Sequence, residues 1–341
     1  MRKNKFGIEL KKYLDFNKIS INEFADRISI TPKNLIDIIN GNISISQNVI
    51  YNISFITEIP VNYIENVEQN FLIDNKIEEF LKEKNMNIKD YIKLFNYKEL
   101  KDKYGVIYNN ERNDYSILKS ILKYLRINDP NLLYKENNHI FYKSNNDKKE
   151  LLALWLERCY KSVINQNVGI YNKNNIEKII CFIREEAKKN IFNKEELIKV
   201  FNENGIYLAI EDDLKGAKIR GAFRVLNDSP AIYITLKHKR IADVYFALLH
   251  ELAHCKSDFN RAKNGSIISY IDNVDTNNYE QNADSTALNW MVDNNVYKTI
   301  INSHNYDYEI MSFLVYRLAL DKIILYNSSI YQNNNKIINF M

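Results

Sequence analysis

The sequence predicts an α+β protein, helical in its first two thirds, with a small sheet and further helices after that. Apolar residues recur at helical spacing through residues 6–200, and the stretch 72–200 contains a single proline. Three segments rich in β-branched and aromatic residues follow within residues 205–236. Two more helical patterns come after them, at about 240–257 and 279–293. Helices and strands that segregate along a chain in this way are typical of the α+β class.

Length and composition narrow the class further. The chain has 341 residues, a formal net charge of +4 and 45% hydrophobic residues, which suits about two domains and leaves room for a third. Cys159, Cys181 and Cys255 are too few and too scattered for a disulfide framework or a cysteine-only zinc site. No apolar run approaches the roughly 18 residues of a membrane span, and the first residues lack the apolar part of a signal peptide. We therefore expect a cytoplasmic protein with no membrane partner.

Two consecutive helices near the amino terminus are bounded by clear start and stop signals. Ser20, with Glu23 three residues later, has the pattern of a capping box. Thr31 followed by a proline predicts a second helix start after a short turn, and Gly41 predicts its end. Ser44 is then expected to open a further helix. The spacing of the first two helices is that of a helix-turn-helix.

The second helix of this pair is the candidate recognition helix for double-stranded DNA, because the first residues of such a helix meet base edges in the major groove. Asparagine suits adenine there, and lysine suits a phosphate or guanine. The positions expected on its outer face are Thr31, Lys33, Asn34, Asp37 and Asn40.

The alternative is a helix pair with a polar outer face that never contacts DNA. Residues 1–70 contain eight basic and eight acidic side chains, so this region has no net charge to attract phosphates. The turn between the helices also lacks the glycine often found there. The pattern favours DNA binding but leaves the structural role open.

The β-rich segments predict a small sheet. They are GIYLAI (205–210), KIRGAFRVL (218–226) and AIYITL (231–236), and the residues NDSP (227–230) predict a turn that joins the last two. We expect AIYITL at an edge of this sheet, where an extended peptide could add as a further strand.

The pentapeptide His250-Glu251-Leu252-Ala253-His254 is the strongest signal of chemistry in the chain. Apolar residues upstream have helical spacing, so both histidines lie one turn apart on one helix face and can reach a single ion. Glu251 lies about 100° around the helix, beside the ion, where it could take a proton from a metal-bound water. Zinc suits these ligands, and a catalytic zinc keeps one coordination position open.

A third protein ligand is expected from the next helix. Glu280 is the first candidate and Asp284, one turn further on, is its competitor. Ala283 and Ala287 lie on the same stripe as Glu280 and would let this helix approach the first closely. If Glu280 is the ligand, Asp284 is well placed to orient one histidine through its second ring nitrogen.

The alternative is a chance match, because the motif has only three fixed residues and most helical histidines are not metal ligands. The apolar helix, the strand just upstream and the acidic helix downstream favour the metal site. The remaining residues of ligand type, Cys255, His139, His238 and His304, are interpreted as structural or surface residues.

These residues together resemble a known pair of domains. The first part is similar to an Xre/HigA-type helix-turn-helix antitoxin through INEFADRISITPKNLIDIINGNISIS. The second resembles the ImmA/IrrE family of metallopeptidases through KIRGAFRVLNDSPAIYITLKHKRIADVYFALLHELAH and EQNADSTA, and the resemblance covers nearly the whole chain. Ala253 replaces the usual glycine, and the residues 285–287 differ from the family's frequent Phe-Ala; neither departure touches a ligand.

The resemblance implies a zincin-like fold of the gluzincin type, with a small sheet packed on the HExxH helix. It implies that His250, His254 and Glu280 bind one zinc ion per chain and that Glu251 is the general base. The domains it implies are a helix-turn-helix domain (1–71), a helical connecting region (72–200), a metallopeptidase domain (201–300) and a carboxy-terminal extension that packs on it (301–341).

The function expected from the motifs and the resemblance is that of a DNA-binding transcriptional regulator with a zinc-dependent endopeptidase domain. It would cleave a repressor or partner protein in a stress, mobile-element or toxin–antitoxin circuit. The alternative is a HigA-like antitoxin or autorepressor whose zinc domain is a non-catalytic sensor or scaffold. The expected partners are an operator and a protein such as a repressor or cognate toxin; a homodimer would read two half-sites.

Overall fold

The computed structural model describes residues 5–104, 113–134, 148–263, 265–270 and 278–338. It has mixed α+β architecture, with many helices and a four-stranded sheet. The chain divides into two compact units, Met1–Tyr134 and Lys135–Met341. None of the helices in the described ranges has the length and apolar character needed to cross a membrane.

The first unit is helical in its described part. One part of its core is formed by apolar side chains of the first five helices, among them the fully buried Phe6, Phe24 and Ile53. The elements are α1 (Lys5–Asn17), α2 (Ile21–Arg27), α3 (Pro32–Asn40), α4 (Gln47–Thr57), α5 (Val61–Glu83), α6 (Ile88–Leu94), α7 (Tyr97–Tyr104), α8 (Asp114–Tyr124) and a 3₁₀ helix (Pro130–Leu133).

The predicted boundaries of α2 and α3 are confirmed. The Ser20 side chain accepts a hydrogen bond from the Glu23 backbone N–H at 3.2 Å, and the Thr31 side chain accepts one from the Asn34 N–H at 3.2 Å. Gly41 ends α3 with φ 74°, the left-handed conformation that glycine adopts without steric cost. Each side-chain cap of this kind contributes about 1 kcal/mol.

The predicted start of the next helix at Ser44 is wrong by two residues. Helix α4 begins at Gln47, and Ser46 occupies the N-cap position without a side-chain capping hydrogen bond. Ile45 is buried, and its backbone N–H donates to the Glu68 carboxylate at 3.2 Å. This contact with α5 accompanies the delayed helix start, and it is a tertiary interaction that local start signals do not encode.

The second unit contains the sheet and the remaining helices. Its elements are α9 (Lys149–Val163), a 3₁₀ helix (Lys173–Asn175), α10 (Ile176–Lys188), α11 (Lys194–Glu203), β1 (Tyr207–Glu211), β2 (Ile219–Leu226), β3 (Ser229–Thr235), α12 (Ile241–Ser257), α13 (Phe259–Ala262), β4 (Ile267–Tyr270), α14 (Asn278–Met291), α15 (Asn294–Ser303), α16 (Met311–Leu320) and α17 (Ser329–Asn334).

The strand order is β1-β3-β2-β4. Strand β3 pairs parallel to β1 and antiparallel to β2, and β2 pairs antiparallel to β4. The predicted turn between β2 and β3 is confirmed: Asn227 and Asp228 occupy it with φ 48° and 61°. Two consecutive residues with positive φ form the tight hairpin turn whose twist matches that of the flanking strands.

The expectation that AIYITL lies at a sheet edge is wrong, because β3 is hydrogen-bonded on both sides. All of its residues after Ser229 are buried, as expected of a strand covered on both faces. The short strand β4 was not predicted. It forms the edge next to β2 instead.

Helix α12 lies against β2 and β3 and is covered by α10, α14 and α16. From the predicted connecting region, α9 and α11 pack against β1, and α10 packs against α12. The division between the two units therefore falls inside residues 72–200. From the predicted carboxy-terminal extension, α16 packs on α12, and Ile337 forms a backbone bridge with Arg240 just before α12.

Candidate metal centre

Three polar side chains of α12 are fully buried. His250, Glu251 and His254 have no exposed surface, in a helix that is otherwise almost entirely apolar. A helix that is apolar on all sides is buried on all sides. Polar groups in such a place lower stability unless they are paired or bind a ligand, so the partners of each group determine what this helix can do.

The two histidines and Glu280 of α14 form a compact group of ligand atoms. His250 Nε2 lies 3.2 Å from His254 Nε2 and 3.2 Å from Glu280 Oε2, and Glu280 Oε1 lies 3.1 Å from His254 Nε2. For a tetrahedral ion bound at about 2.0–2.1 Å, neighbouring ligand atoms lie about 3.3–3.4 Å apart. Within the described residues these three side chains form the group that could hold a metal ion.

The close approach of α14 to α12 depends on small side chains. Ala283 and Ala287 lie on the stripe of α14 that carries Glu280, and both are buried. The Glu280 carboxylate is itself only 12% exposed. As the sequence pattern indicated, alanines at the helix contact bring a carboxylate from a distant segment to the two imidazoles.

A carboxylate holds the second ring nitrogen of each histidine. His250 Nδ1 lies 2.8 Å from Asp284 Oδ1, and His254 Nδ1 lies 2.8 Å from Asp258 Oδ2. An ionised carboxylate can only accept, so Nδ1 donates in both pairs. Nε2 is then the ring nitrogen of each histidine that points toward Glu280 and is available to a metal ion. Such hydrogen bonds select the tautomer that binds a metal and orient the ring.

Asp284 thus lies against Nδ1 of His250, whereas Glu280 lies against Nε2 of both histidines. Asp258 was missed by the sequence analysis, although it stands four residues after His254, the same spacing that relates the two histidines. Ser269 of β4 was also missed; its buried hydroxyl lies 3.0 Å from His250 Nε2. No signal indicated Ser269, because the short strand that carries it was not recognised.

The electrostatics of the group favour positive charge at its centre. Burial lowers the pKa of His254, but its hydrogen bonds with Asp258 and Glu280 outweigh this and raise the pKa to about 10. Burial likewise lowers the pKa of His250, and its hydrogen bonds with Asp284 and Glu280 reverse the direction. Burial raises the pKa of Glu280, and the two imidazoles bring it well below its usual range. A divalent cation would displace the imidazole protons and supply the same charge.

Glu251 differs from the three grouped residues. Its carboxylate oxygens are buried and accept no hydrogen bond within 3.5 Å among the described residues. Burial raises the pKa of Glu251, against smaller opposing effects of the His250 and His254 imidazoles and of the nearby Ser269 hydroxyl. Gly221 of β2 lies directly against it: a Cβ added there would be 2.9 Å from Glu251 Cδ and 2.9 Å from the Tyr233 carbonyl oxygen. A buried carboxylate without a partner is costly, and a raised pKa suits a group that exchanges protons near neutral pH.

The other residues of ligand type lie elsewhere. The Cys255 thiol is buried and donates to the Tyr171 hydroxyl at 3.4 Å. His238 and His304 are exposed, and His139 lies outside the described residues.

The predicted DNA-contact residues lie in the first unit. Thr31, Lys33, Asn34 and Asn40 are exposed, whereas Asp37 is partly buried and accepts a hydrogen bond from the Asn42 side chain at 3.1 Å. Thr31 already caps α3 with its hydroxyl. Lys33, Asn34 and Asn40 therefore remain the candidates for contact with a ligand.

Comparisons with protein-family models, curated proteins and solved structures found no match for this chain. The resemblance to the Xre/HigA and ImmA/IrrE families stays an expectation that rests on the motifs. The geometry of the metal centre therefore carries the functional conclusion.

Proposed function

We propose that this chain is a zinc-dependent endopeptidase of zincin-like, gluzincin-type fold, joined to a helix-turn-helix domain that binds an operator. The observation that carries the proposal is the triangle of His250, His254 and Glu280 beside an unpartnered buried carboxylate, Glu251. Three protein ligands leave a fourth zinc position open, as in catalytic zinc sites. In a structural zinc site, by contrast, a fourth protein side chain occupies that position.

The roles of the side chains follow from their contacts. His250, His254 and Glu280 would hold one zinc ion per chain, with Asp284 and Asp258 keeping the imidazoles in the metal-binding orientation. Zinc supplies Lewis acidity that polarises a peptide carbonyl and eases the ionisation of water.

Glu251 is the proposed general base. It takes a proton from the attacking water as the hydroxyl adds to the peptide carbonyl carbon, and it returns that proton to the amide nitrogen as the C–N bond breaks. Burial raises its pKa above the usual glutamate value, which is the direction that suits a group that both accepts and releases a proton. The substrate is a protein, and a repressor or partner acting at the same operator is the class that fits a DNA-tethered peptidase.

A second candidate function rests on α3. Its capped start and its exposed Lys33 and Asn34 favour an autorepressor or antitoxin that binds operator DNA, with the zinc domain acting as a sensor or scaffold. A cognate toxin would then be the protein partner, and a homodimer would read two half-sites. Both functions require a cytoplasmic location where DNA is accessible.

The first experiment measures zinc per chain in the parent protein, in Glu280→Ala and in Glu177→Ala after reconstitution. Glu177 is an exposed glutamate of the same unit that pairs with Lys256, so it serves as the matched control. One zinc in the parent and the control, with markedly less in Glu280→Ala, supports the centre. No zinc in the parent would refute the peptidase proposal.

The second experiment separates the two candidate functions. The zinc-loaded parent and Glu251→Gln are incubated with a peptide library derived from a cell proteome, and new peptide ends are identified by mass spectrometry. Cleavage by the parent, lost in Glu251→Gln with zinc retained, supports the endopeptidase. A zinc-loaded parent that cleaves no peptide in the library favours the sensor or scaffold.

A further inference from the structure

Strand β2 contains an extra residue close to the metal centre. Ile219 pairs with Tyr270 and Gly221 pairs with Ser269, so two steps along β2 match one step along β4. Arg220 is the additional residue, and this irregularity is a β-bulge. Bulges bend a strand and redirect a side chain, and they are frequent beside active sites.

The bulge lets two consecutive residues face the same helices. Gly221 faces α12, because a Cβ there would meet the Glu251 carboxylate. Arg220 also faces this side: its guanidinium lies 5.1 Å from the centre of the Phe246 ring of α12. Its Nη1 donates to Asp284 Oδ1 of α14 at 3.1 Å. In a regular strand these neighbours would point to opposite faces.

Arg220 and His250 share one acceptor atom. Asp284 Oδ1 accepts from His250 Nδ1 at 2.8 Å and from Arg220 Nη1 at 3.1 Å. The Asp284 side chain is 44% exposed, so without a second partner it could rotate toward water. The equivalent carboxylate beside His254, that of Asp258, is 6% exposed and also accepts from the Ser257 hydroxyl at 2.9 Å. The exposed orienting carboxylate is thus the one that an arginine restrains.

We propose that Arg220 is a positioning residue of the metal centre. It acts through Asp284, which it holds in the rotamer that orients the His250 ring, and the Phe246 ring keeps the guanidinium in place. The inference rests on the proposed zinc centre, and it assigns to that centre one residue of strand β2. No contact between Arg220 and the metal is required.

The test is zinc affinity, measured by competition with a chromogenic chelator, for the parent, Arg220→Gln, Arg220→Lys and Arg224→Gln. Arg224 lies four residues along the same strand and contacts the Tyr160 ring of α9, so it is the matched control. We expect Arg220→Gln to bind zinc roughly 10-fold more weakly, at the lower end of the effect of residues around metal ligands. Arg220→Lys should recover part of the loss, and Arg224→Gln should match the parent.

Three further readouts separate positioning from a general loss of structure. In the cobalt-substituted protein, Arg220→Gln should change the visible absorption bands, whereas Arg224→Gln should leave them unchanged. In an Asp284→Asn background, Arg220→Gln should have a much smaller effect on zinc affinity, because the restrained carboxylate is gone. Thermal unfolding in chelator reports whether each variant folds without metal.

The outcomes are distinct. Zinc affinity in Arg220→Gln equal to that of the parent, or losses that add in the double variant, overturns the inference and leaves the zinc centre standing. A parent that binds no zinc overturns both. If Arg220→Gln does not fold in chelator, Arg220→Lys is compared with Arg224→Lys, and equal affinities of those two overturn the inference.

Discussion

Helices α3 and α12 place their polar residues in opposite ways, although each carries the residues for one proposed activity. In α3, Lys33 and Asn34 are exposed, and the helix ends are set by its own cap residues. In α12, His250, Glu251 and His254 have no exposed surface, and two distant acidic residues of α14 complete the site. The surface helix is therefore specified by local sequence, whereas the buried site depends on partners from distant segments.

If the buried site carries the chemistry, Glu251→Gln should have the largest effect of any single substitution considered. We expect the cleavage rate to fall roughly 10²- to 10⁴-fold, because the general base is lost, while zinc stays bound. The melting temperature of the variant should rise, because an unpartnered buried carboxylate becomes a neutral amide of the same shape. Peptide cleavage, zinc content and thermal unfolding are measured together, with Glu177→Gln as the control. Equal cleavage by both variants would remove Glu251 from the mechanism.

On the exposed helix, the double variant Lys33→Ala/Asn34→Ala should weaken binding to the DNA upstream of the protein's own gene. The expected loss is about 1–3 kcal/mol per base contact, or roughly 5- to 150-fold in affinity. Unfolding should be unchanged, because both side chains are exposed. Binding is titrated at several salt concentrations, and the salt dependence should decrease as a phosphate contact is lost. Specific binding that survives the double substitution would show that α3 is not the recognition helix.

Gly221→Ala tests how tightly the buried site is packed against the sheet. The added Cβ would stand 2.9 Å from both Glu251 Cδ and the Tyr233 carbonyl oxygen, so we expect a loss of about 1–3 kcal/mol in the free energy of unfolding. Gly169→Ala is the matched control, since its Cβ would meet its nearest neighbour, the Glu203 carbonyl oxygen, at 3.2 Å. Urea unfolding compares the two. An equal or smaller loss at Gly221 would mean that the Glu251 carboxylate has room to move.

The smallest expected effect concerns Asp243, in the first turn of α12. Burial raises its pKa, although it accepts hydrogen bonds from Asn335 and Tyr331 and lies near the positive Arg240 and the imidazole of His238. Because the pKa is raised in the folded state, the contribution of this carboxyl group to the free energy of unfolding is fully present below the usual aspartate pKa of about 4. That contribution is lost as pH rises through the folded-state pKa.

Relative to Asp243→Asn, the parent should therefore lose stability with increasing pH across that window. Melting temperatures of both proteins are compared from acid to neutral pH, with Asp228→Asn at the exposed β2–β3 turn as the control. Parallel pH profiles of the parent and Asp243→Asn would show that the carboxyl is as well solvated in the folded protein as in the unfolded chain.

Local sequence alone determined much of this protein. The caps at Ser20 and Thr31, the end of α3 at Gly41 and the two-residue turn after β2 were all predictable, because each depends on hydrogen bonds or backbone conformations within a few residues. The same holds for the spacing of His250 and His254, since one helical turn separates them. Glu280 and Asp284 were also predictable from their helix, with Glu280 as the first candidate for the third ligand and Asp284 as its competitor.

The contacts between elements that are distant in the sequence were determined by the tertiary structure alone. The sequence of an apolar segment such as β3 does not indicate whether it is an edge strand or a central strand. Its central position in the sheet became clear only from its pairing with β1 and β2. The order of Glu280 and Asp284 around His250 depends on how α14 crosses α12. Arg220 reaches Asp284 because a bulge redirects one residue of β2. The periodicity of the sequence indicates which face of a helix or strand is apolar. It does not indicate which other element packs against that face, because this depends on the tertiary structure.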